Sequence, residues 1–143
     1  MNKYVKGLIR FLIEIAVITV LLVIINICTK GMYLFGLPDL TDIQSVSISY
    51  PSVTDDIKEV SSPEDIELAL KLTGFLKYDL FEKVDNAEKP LITITYHLKD
   101  GKDKTISANN TTVWWNDKSY TIKEKEMFIN LTEGIFFLED LQK

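Results

Sequence analysis

The chain has 143 residues, a length that fits a single domain. Four basic residues and one acid give residues 1–30 a charge of +3, so residues 31–143 carry −8 of the total of −5. An acidic domain of this kind repels phosphate backbones, which disfavours nucleic acid as a partner. Cys28 is the single cysteine, so the chain has no intrachain disulfide and no cysteine-based metal site.

The first predicted element is a membrane-spanning helix. Residues 11–28 read FLIEIAVITVLLVIINIC, and Glu14 carries their only charge. A helix of this length rises about 27 Å, close to the ~30 Å hydrocarbon core of a bilayer. Glu14 lies near one end, where Arg10 stands four residues earlier on the same helical face. The residues that mark this anchor are Phe11, Glu14, Val20, Ile25 and Cys28.

The residues around the apolar run favour a retained helix with a cytoplasmic N-terminus. A cleaved signal peptide needs a small-x-small site, and the following TKGMYLFGLPD has no A-x-A. A lipoprotein needs a small residue before its cysteine, where this chain has Ile27. Three basic residues precede the run and only Lys30 follows it, so the positive-inside rule predicts that residues 31–143 lie outside the cell.

Residues 31–40 predict a short juxtamembrane linker, and residues 41–143 predict an extracytoplasmic α+β domain. Residues 43–50 alternate apolar and serine positions, which is typical of a half-buried strand, and residues 57–60 predict a short return strand. Residues 61–75 predict a helix that Ser62 caps and in which Ala69 and Leu72 belong to the apolar face.

The second half of the domain predicts a four-stranded antiparallel meander and a C-terminal helix. Residues 77–90 are charged and poorly periodic, which predicts a loop with at most a short turn of helix or strand. The predicted strands are 91–98, 104–108, 111–115 and 119–123, and the turns between them lie at Asp100–Gly101, Asn109–Asn110 and Asn116–Asp117. In residues 124–141, helical spacing relates Phe128, Leu131, Ile135 and Leu138.

Two residues are candidates for a functional role. Trp114 and Trp115 are adjacent in a strand, so their side chains point to opposite faces. Trp115 belongs with the core, whereas Trp114 either anchors a partner or is covered by another segment. His97 is the only histidine, and no motif supplies it with a nucleophile or carboxylate, so we expect a surface or partly packed residue.

No pattern in the sequence predicts a metal or a cofactor. Acidic residues occur at Asp55–Asp56 and again at Asp79, Glu82, Asp85 and Glu88, but their spacing does not match a calcium loop. We expect these carboxylates to be solvated surface charge.

The stretches DLTDIQSVSISY and DDIKEVSSPEDIELALKLTGFL combine a strand, a short return strand and a helix that opens with Ser/Thr-x-x-Glu/Asp. This pattern resembles small extracytoplasmic domains of membrane-anchored proteins in Gram-positive bacteria, most of which have no known activity. The resemblance implies a place in the cell envelope and no chemistry. The chain departs from the lipoprotein members because it lacks a lipobox.

Three functions follow as hypotheses. The first is a membrane-tethered module that binds an envelope protein or peptide, with an immunity-type protein as one version. The second is a subunit of an envelope assembly, in which Glu14 pairs with a partner helix. The third is a cell-envelope enzyme, which the missing nucleophile–base set disfavours. A cleft with converging acids, or with His97 beside a carboxylate, would favour the enzyme.

Overall fold

A computed structural model describes residues 2–82, 84, 88–123, 129–130 and 132–134. These residues form a long N-terminal helix, a sheet and a second helix. The element bounds are α1 Lys3–Lys30, β1 Met32–Tyr33, a 3₁₀ turn Leu40–Asp42, β2 Ile43–Ser49, β3 Ile57–Val60, α2 Pro63–Phe75, β4 Lys77–Asp79, β5 Ile92–Leu98, β6 Asp103–Ala108, β7 Thr112–Trp115 and β8 Lys118–Ile122.

The helix α1 is 28 residues long, which corresponds to about 42 Å of rise. Within the described part of the chain it is the one helix long and apolar enough to cross a membrane. None of its side chains is buried against the rest of the protein. The predicted long apolar helix at the N-terminus is therefore confirmed, and it continues beyond the apolar run to Lys30.

All described strands belong to one antiparallel sheet with the order β1-β4-β8-β7-β6-β5-β2-β3. The predicted hairpin is β2–β3, and the predicted meander is β5–β6–β7–β8. The two units join because β2 also pairs with β5. The predicted α+β class is confirmed.

Two short strands lie in segments where the sequence predicts no regular strand. β1 falls within the predicted linker, and β4 opens the predicted 77–90 loop. They pair with each other, and β4 also pairs with β8. Strands of two or three residues are too short to show alternation, so only their distant partners define them.

The core lies on the face of the sheet that α2 covers. Strand residues on this face are almost fully buried, and α2 contributes Ile66, Ala69 and Leu72. An irregularity in the β2–β5 register between Ile43 and Ser45 lets Ile43 face the core together with Val46. The central strand residues of the core are Val46, Ile48, Ile92, Ile94, Tyr96, Ile106 and Val113.

Helix α2 begins as its sequence predicts. The Ser62 hydroxyl oxygen accepts the Asp65 amide at 3.3 Å, and the same hydroxyl donates to the Asp65 carboxylate at 2.7 Å. The helix continues through Gly74 to Phe75, one residue beyond the glycine that the sequence offers as its end. This firm start fixes which face of α2 meets the sheet.

A buried polar contact joins α2 to the sheet. The Tyr96 hydroxyl hydrogen-bonds to the Thr73 hydroxyl and donates to the Ala69 carbonyl at 3.1 Å. The Thr73 hydroxyl lies 2.9 Å from the same carbonyl, and its single proton goes either to that carbonyl or to the Tyr96 oxygen. Burial raises the pKa of Tyr96 to about 12, against a small opposing effect of the Thr73 hydrogen bond.

Near the C-terminus, Ile129, Asn130 and residues 132–134 are helical, and Ile129 and Thr132 are buried. Glu133 accepts a hydrogen bond from Tyr50, and this bond raises the pKa of the tyrosine. The segment therefore packs at the end of β2, on the core side. The remaining positions of the predicted 124–141 helix, including Phe128, Leu131, Ile135 and Leu138, lie outside the described residues.

Candidate functional site

The side of the sheet opposite the core is lined mainly by hydroxyl groups. Strand alternation places every second residue there, and the register aligns them in rows across the strands. We call this surface the polar face. Its rows are Ser45–His97–Asp103, Ser47–Thr95–Thr105 and Ser49–Thr93–Ser107–Trp114–Ser119.

None of the residues in these three rows is fully buried. Helix α2 packs on the other side of the sheet, where it meets Tyr96. Neighbouring hydroxyls on the polar face bond to each other, with Thr93 and Ser107 at 3.1 Å and Thr95 and Thr105 at 3.3 Å. The residues of these rows are therefore partly or fully exposed, and neighbouring hydroxyls satisfy one another's hydrogen bonds.

The structure joins His97 to a hydroxyl and a carboxylate. Its Nε2 lies 2.6 Å from Ser47 Oγ, and its Nδ1 lies 2.8 Å from Asp103 Oδ1. Because Nδ1 faces a carboxylate, the proton of the neutral ring belongs there, which leaves Nε2 as the acceptor for the Ser47 hydroxyl. This serine–histidine–aspartate chain has the order that activates a serine nucleophile.

The sequence predicts a surface or partly packed residue at position 97, and the structure adds a hydroxyl and a carboxylate as partners of its ring. Ser47 and Asp103 lie 50 and 6 residues from His97 in the sequence, and strand pairing places them beside it. No local sequence motif predicts these contacts. The histidine and aspartate side chains are 34% and 56% exposed. The alternation of serines in 43–50 and threonines in 91–98 is the only sequence signal that places these groups on one face.

The surroundings of Ser47 offer little support for acyl transfer. Strand β2 pairs on both sides, so its amides serve the sheet and do not point at a substrate. Stabilising an oxyanion needs preorganised donors, and the groups flanking Ser47 in its row are the side chains of Glu59 and Thr95. The open surface also exposes the site to water.

Trp114 and Trp115 point to opposite sides of the sheet, as predicted. Trp115 is 4% exposed, and its indole N–H donates to the Phe35 carbonyl at 3.2 Å. Trp114 is half-buried on the polar face, paired across the strands with Ser107 and Ser119. The sequence left open whether Trp114 is covered, and the structure leaves part of its ring accessible.

A shallow cavity of about 360 Å³ lies beside Trp114. Part of its lining comes from the tight turn between β7 and β8, where Asn116 and Asp117 have φ of 51° and 62°. Two residues with positive φ are typical of the type I′ turns that join twisted strands. The cavity is lined by Thr105, Ser107, Trp114, Trp115, Asn116, Asp117 and Lys118.

The five residues that mark the predicted anchor all lie on α1. Phe11, Val20 and Ile25 are 56–58% exposed, and Cys28 is free and exposed. Glu14 accepts from Arg10 at 3.0 Å, so the one acid of the apolar run has a cation one turn away.

No group of three or more His, Cys, Asp or Glu side chains in the described residues is arranged to hold a metal ion. Of the acidic positions considered from the sequence, Asp79 lies 3.7 Å from Lys123 Nζ, and Asp85 lies outside the described residues. No protein-family model, curated protein or solved structure matches the chain.

Proposed function

We propose that the protein is a single-pass membrane-tethered module whose domain binds an envelope protein or peptide outside the cell. The length of α1, its exposed apolar side chains and the basic residues before it support the anchor and its orientation. The bilayer is thus the first partner of the chain. The charge of −8 on residues 31–143 argues against nucleic acid as a second one.

The orientation can be tested with single cysteines. In a Cys28→Ser background, a cysteine at Asp100 lies in the exposed β5–β6 hairpin, and a cysteine at Lys3 lies at the start of α1. A membrane-impermeant maleimide added to intact cells should label position 100 and not position 3. Labelling of position 3 alone would invert the topology.

The polar face is the surface to which we assign the binding of the protein or peptide partner. It combines a half-buried tryptophan, a cavity beside it and rows of hydroxyls that lie at the surface of the sheet. Tryptophan is enriched among residues that dominate interface energies, and hydroxyls both donate and accept hydrogen bonds. Lys118 and Asp117 at the rim of the cavity add one charge of each sign. Such a surface suits a polar protein segment or peptide.

A photo-cross-linking amino acid at position 114 tests this proposal in cells. We expect a discrete adduct at position 114 that a Ser107→Lys change abolishes, since the lysine would occupy the cavity next to the ring. The matched control is position 57, where Ile57 is 65% exposed on β3 at the far end of the strand order. Equal adducts at both positions, or none at 114 under any growth condition, would contradict a binding role for this face.

Two versions of the module differ in the role of α1. An immunity-type protein or another tethered binder needs the helix only as an anchor. A subunit of an envelope assembly uses the helix for contacts, with Glu14 as a candidate partner for another helix. Replacing residues 3–30 by an unrelated anchor should preserve function in the first version and abolish it in the second.

The hydrogen-bonded chain through His97 favours a second candidate function, a serine hydrolase. In this reaction Ser47 Oγ attacks an ester carbonyl while His97 Nε2 takes its proton, and Asp103 stabilises the imidazolium. The proton then passes to the leaving alcohol, and a water molecule releases the acid from the acyl-serine.

A fluorophosphonate probe separates this second candidate from the binding module. If the protein is a hydrolase, the full chain in detergent micelles forms an adduct at Ser47 that Ser47→Ala abolishes and Asp103→Asn slows. We expect no adduct, because the Ser47 amide belongs to the sheet and no preorganised oxyanion donor adjoins it. An adduct confined to Ser47 would replace the binding module by the enzyme.

A further inference from the structure

Exposed apolar side chains occur on the two chain segments that flank the paired strands β1 and β4. Tyr33 and Phe35 follow the helix directly, and they are 51% and 62% exposed. Leu80 and Phe81 come from a distant part of the sequence, just after β4, and they are 39% and 67% exposed. We call these four residues the junction patch. Large apolar side chains exposed in one region of an acidic, polar domain often mark a site that contacts a membrane or a protein.

The strand register places half of this patch beside the end of the helix. β1 and β4 are antiparallel, with Met32 opposite Tyr78 and Tyr33 opposite Lys77. The chain that leaves β4 therefore runs back toward the C-terminal end of α1. Leu80 and Phe81 consequently lie near the level of Lys30, the last residue of the helix.

The junction between α1 and the sheet leaves no room for a stalk. Gly31 has φ of 78°, and a Cβ at that position would lie 3.0 Å from the Tyr78 carbonyl oxygen and 3.1 Å from Lys123 Cβ. The backbone passes so closely that only glycine fits without displacement. The sheet edge is thereby held against the end of α1.

Side-chain contacts also fix the backbone that carries the patch. The Phe81 amide donates to Asp79 Oδ1 at 3.1 Å, and the Trp115 indole donates to the Phe35 carbonyl at 3.2 Å. The rings of Phe81 and Phe35 project from these fixed points. The two rings are therefore exposed because the fold holds the backbone at Phe81 and Phe35 in place.

Cations accompany the apolar side chains at this edge. Lys77 Nζ lies 5.0 Å from the centroid of the Tyr33 ring, and Lys123 Nζ lies 3.7 Å from Asp79. Lys30 ends the helix beside them. Aromatic rings next to lysines, in a domain that is acidic as a whole, are typical of the zone where anionic lipid headgroups meet the acyl chains.

We propose that the junction patch lies in the headgroup region of the same bilayer that α1 spans, so that the domain docks on the membrane through its β1–β4 edge. The inference rests on the proposed anchor and adds a second, folded contact with lipid. The position of the patch next to α1 identifies the bilayer as its partner. If α1 spans the bilayer, Leu80 and Phe81 lie at the level at which the helix leaves the bilayer. Strand β3, at the opposite end of the strand order, then lies away from the lipid.

Spin-label accessibility in the full chain tests this docking. The protein, with Cys28→Ser, is reconstituted into vesicles of phosphatidylcholine and phosphatidylglycerol, and nitroxides are attached to single cysteines at positions 20, 57 and 81. Phe81 and Ile57 are a matched pair, since their exposures are 67% and 65% and they lie toward opposite ends of the sheet. Collisions with oxygen report lipid, and collisions with a nickel chelate report water.

We expect position 81 to show at least a several-fold higher ratio of oxygen to nickel collisions than position 57. Position 20, in the middle of α1, should show the highest ratio. If position 81 is as accessible to nickel as position 57 while position 20 lies in lipid, the docking is wrong and the anchor still holds. Position 20 in water would overturn the anchor itself. If the spectrum at position 81 shows spin–spin broadening that vanishes on dilution with unlabelled protein, the patch contacts a second copy of the chain and not lipid.

Discussion

The two faces of the sheet share one set of strands and one hydrogen-bond ladder, yet their side chains have opposite roles. On the core face, Val46 and Tyr96 are 0% exposed. On the polar face, the adjacent Ser47 and Thr95 are half-exposed and bond only to other polar groups. The buried side chains that stabilise this domain therefore lie on one face of the sheet, while the other face carries polar side chains that are partly exposed. Four sets of substitutions test that division.

The adjacent tryptophans give the largest expected contrast. Trp115→Ala removes a buried ring and the hydrogen bond to Phe35, which should cost about 3–5 kcal/mol of unfolding free energy. Trp114→Ala should cost about 1 kcal/mol, because its ring is only half-buried and makes no core contact. Urea unfolding of the full chain in micelles, followed by circular dichroism, measures both. Equal losses would mean that the polar face is also part of the core.

The buried Tyr96 makes the core face sensitive to alkali. Burial raises its pKa from the ordinary value of 10.0 to about 12 in the folded protein, so above pH 10 the unfolded chain releases a proton that the folded protein keeps. Stability is therefore fully present below pH 10 and falls as pH rises toward 12, by an amount on the order of 2–3 kcal/mol.

Tyr96→Phe should flatten that fall, as thermal midpoints between pH 9 and 12 would show. Part of the slope remains, because burial also raises the pKa of Tyr78 and the Glu133 hydrogen bond raises that of Tyr50. Ile94→Val is the control, since it loosens the same face by about 0.5–1.5 kcal/mol without removing a titratable group. An unchanged slope in Tyr96→Phe would remove this tyrosine as the cause.

The β7–β8 turn directly follows the two tryptophans, and Asp117 in this turn is the residue to change. Its φ of 62° costs an L-residue energy, so Asp117→Val should lower stability by about 1–2 kcal/mol. Asp117→Gly should raise it by about 0.5 kcal/mol, because glycine adopts this conformation freely. Thermal unfolding of the two variants measures the difference. A valine variant as stable as the glycine variant would show that the turn does not constrain the hairpin.

The smallest expected effect lies on the polar face. Asp103→Asn keeps the shape of the side chain and removes the charge beside His97, at a position that is 56% exposed. We expect a loss of at most about 0.5–1 kcal/mol, since contacts between exposed polar side chains contribute little. The same urea unfolding measures it. A loss above about 2 kcal/mol would make the chain through His97 a structural element.

Local rules in the sequence determined much of this protein. The apolar run predicts α1, the two-residue alternation assigns Val46 and Ser47 to opposite faces, and Ser62 starts α2. Each of these features depends on residues that are close together in the sequence, so the sequence pattern predicts them directly.

Tertiary structure alone decided the features that depend on long-range register. The strands β1 and β4 exist because they pair with each other, and Phe81 reaches the end of α1 only through that pairing. Ser47 and His97 are 50 residues apart and meet because β2 lies beside β5. The alternation of apolar and polar residues in a strand predicts the face on which a side chain lies. It does not predict the neighbour of that side chain on the next strand, because the cross-strand register is set by the packing of the whole sheet.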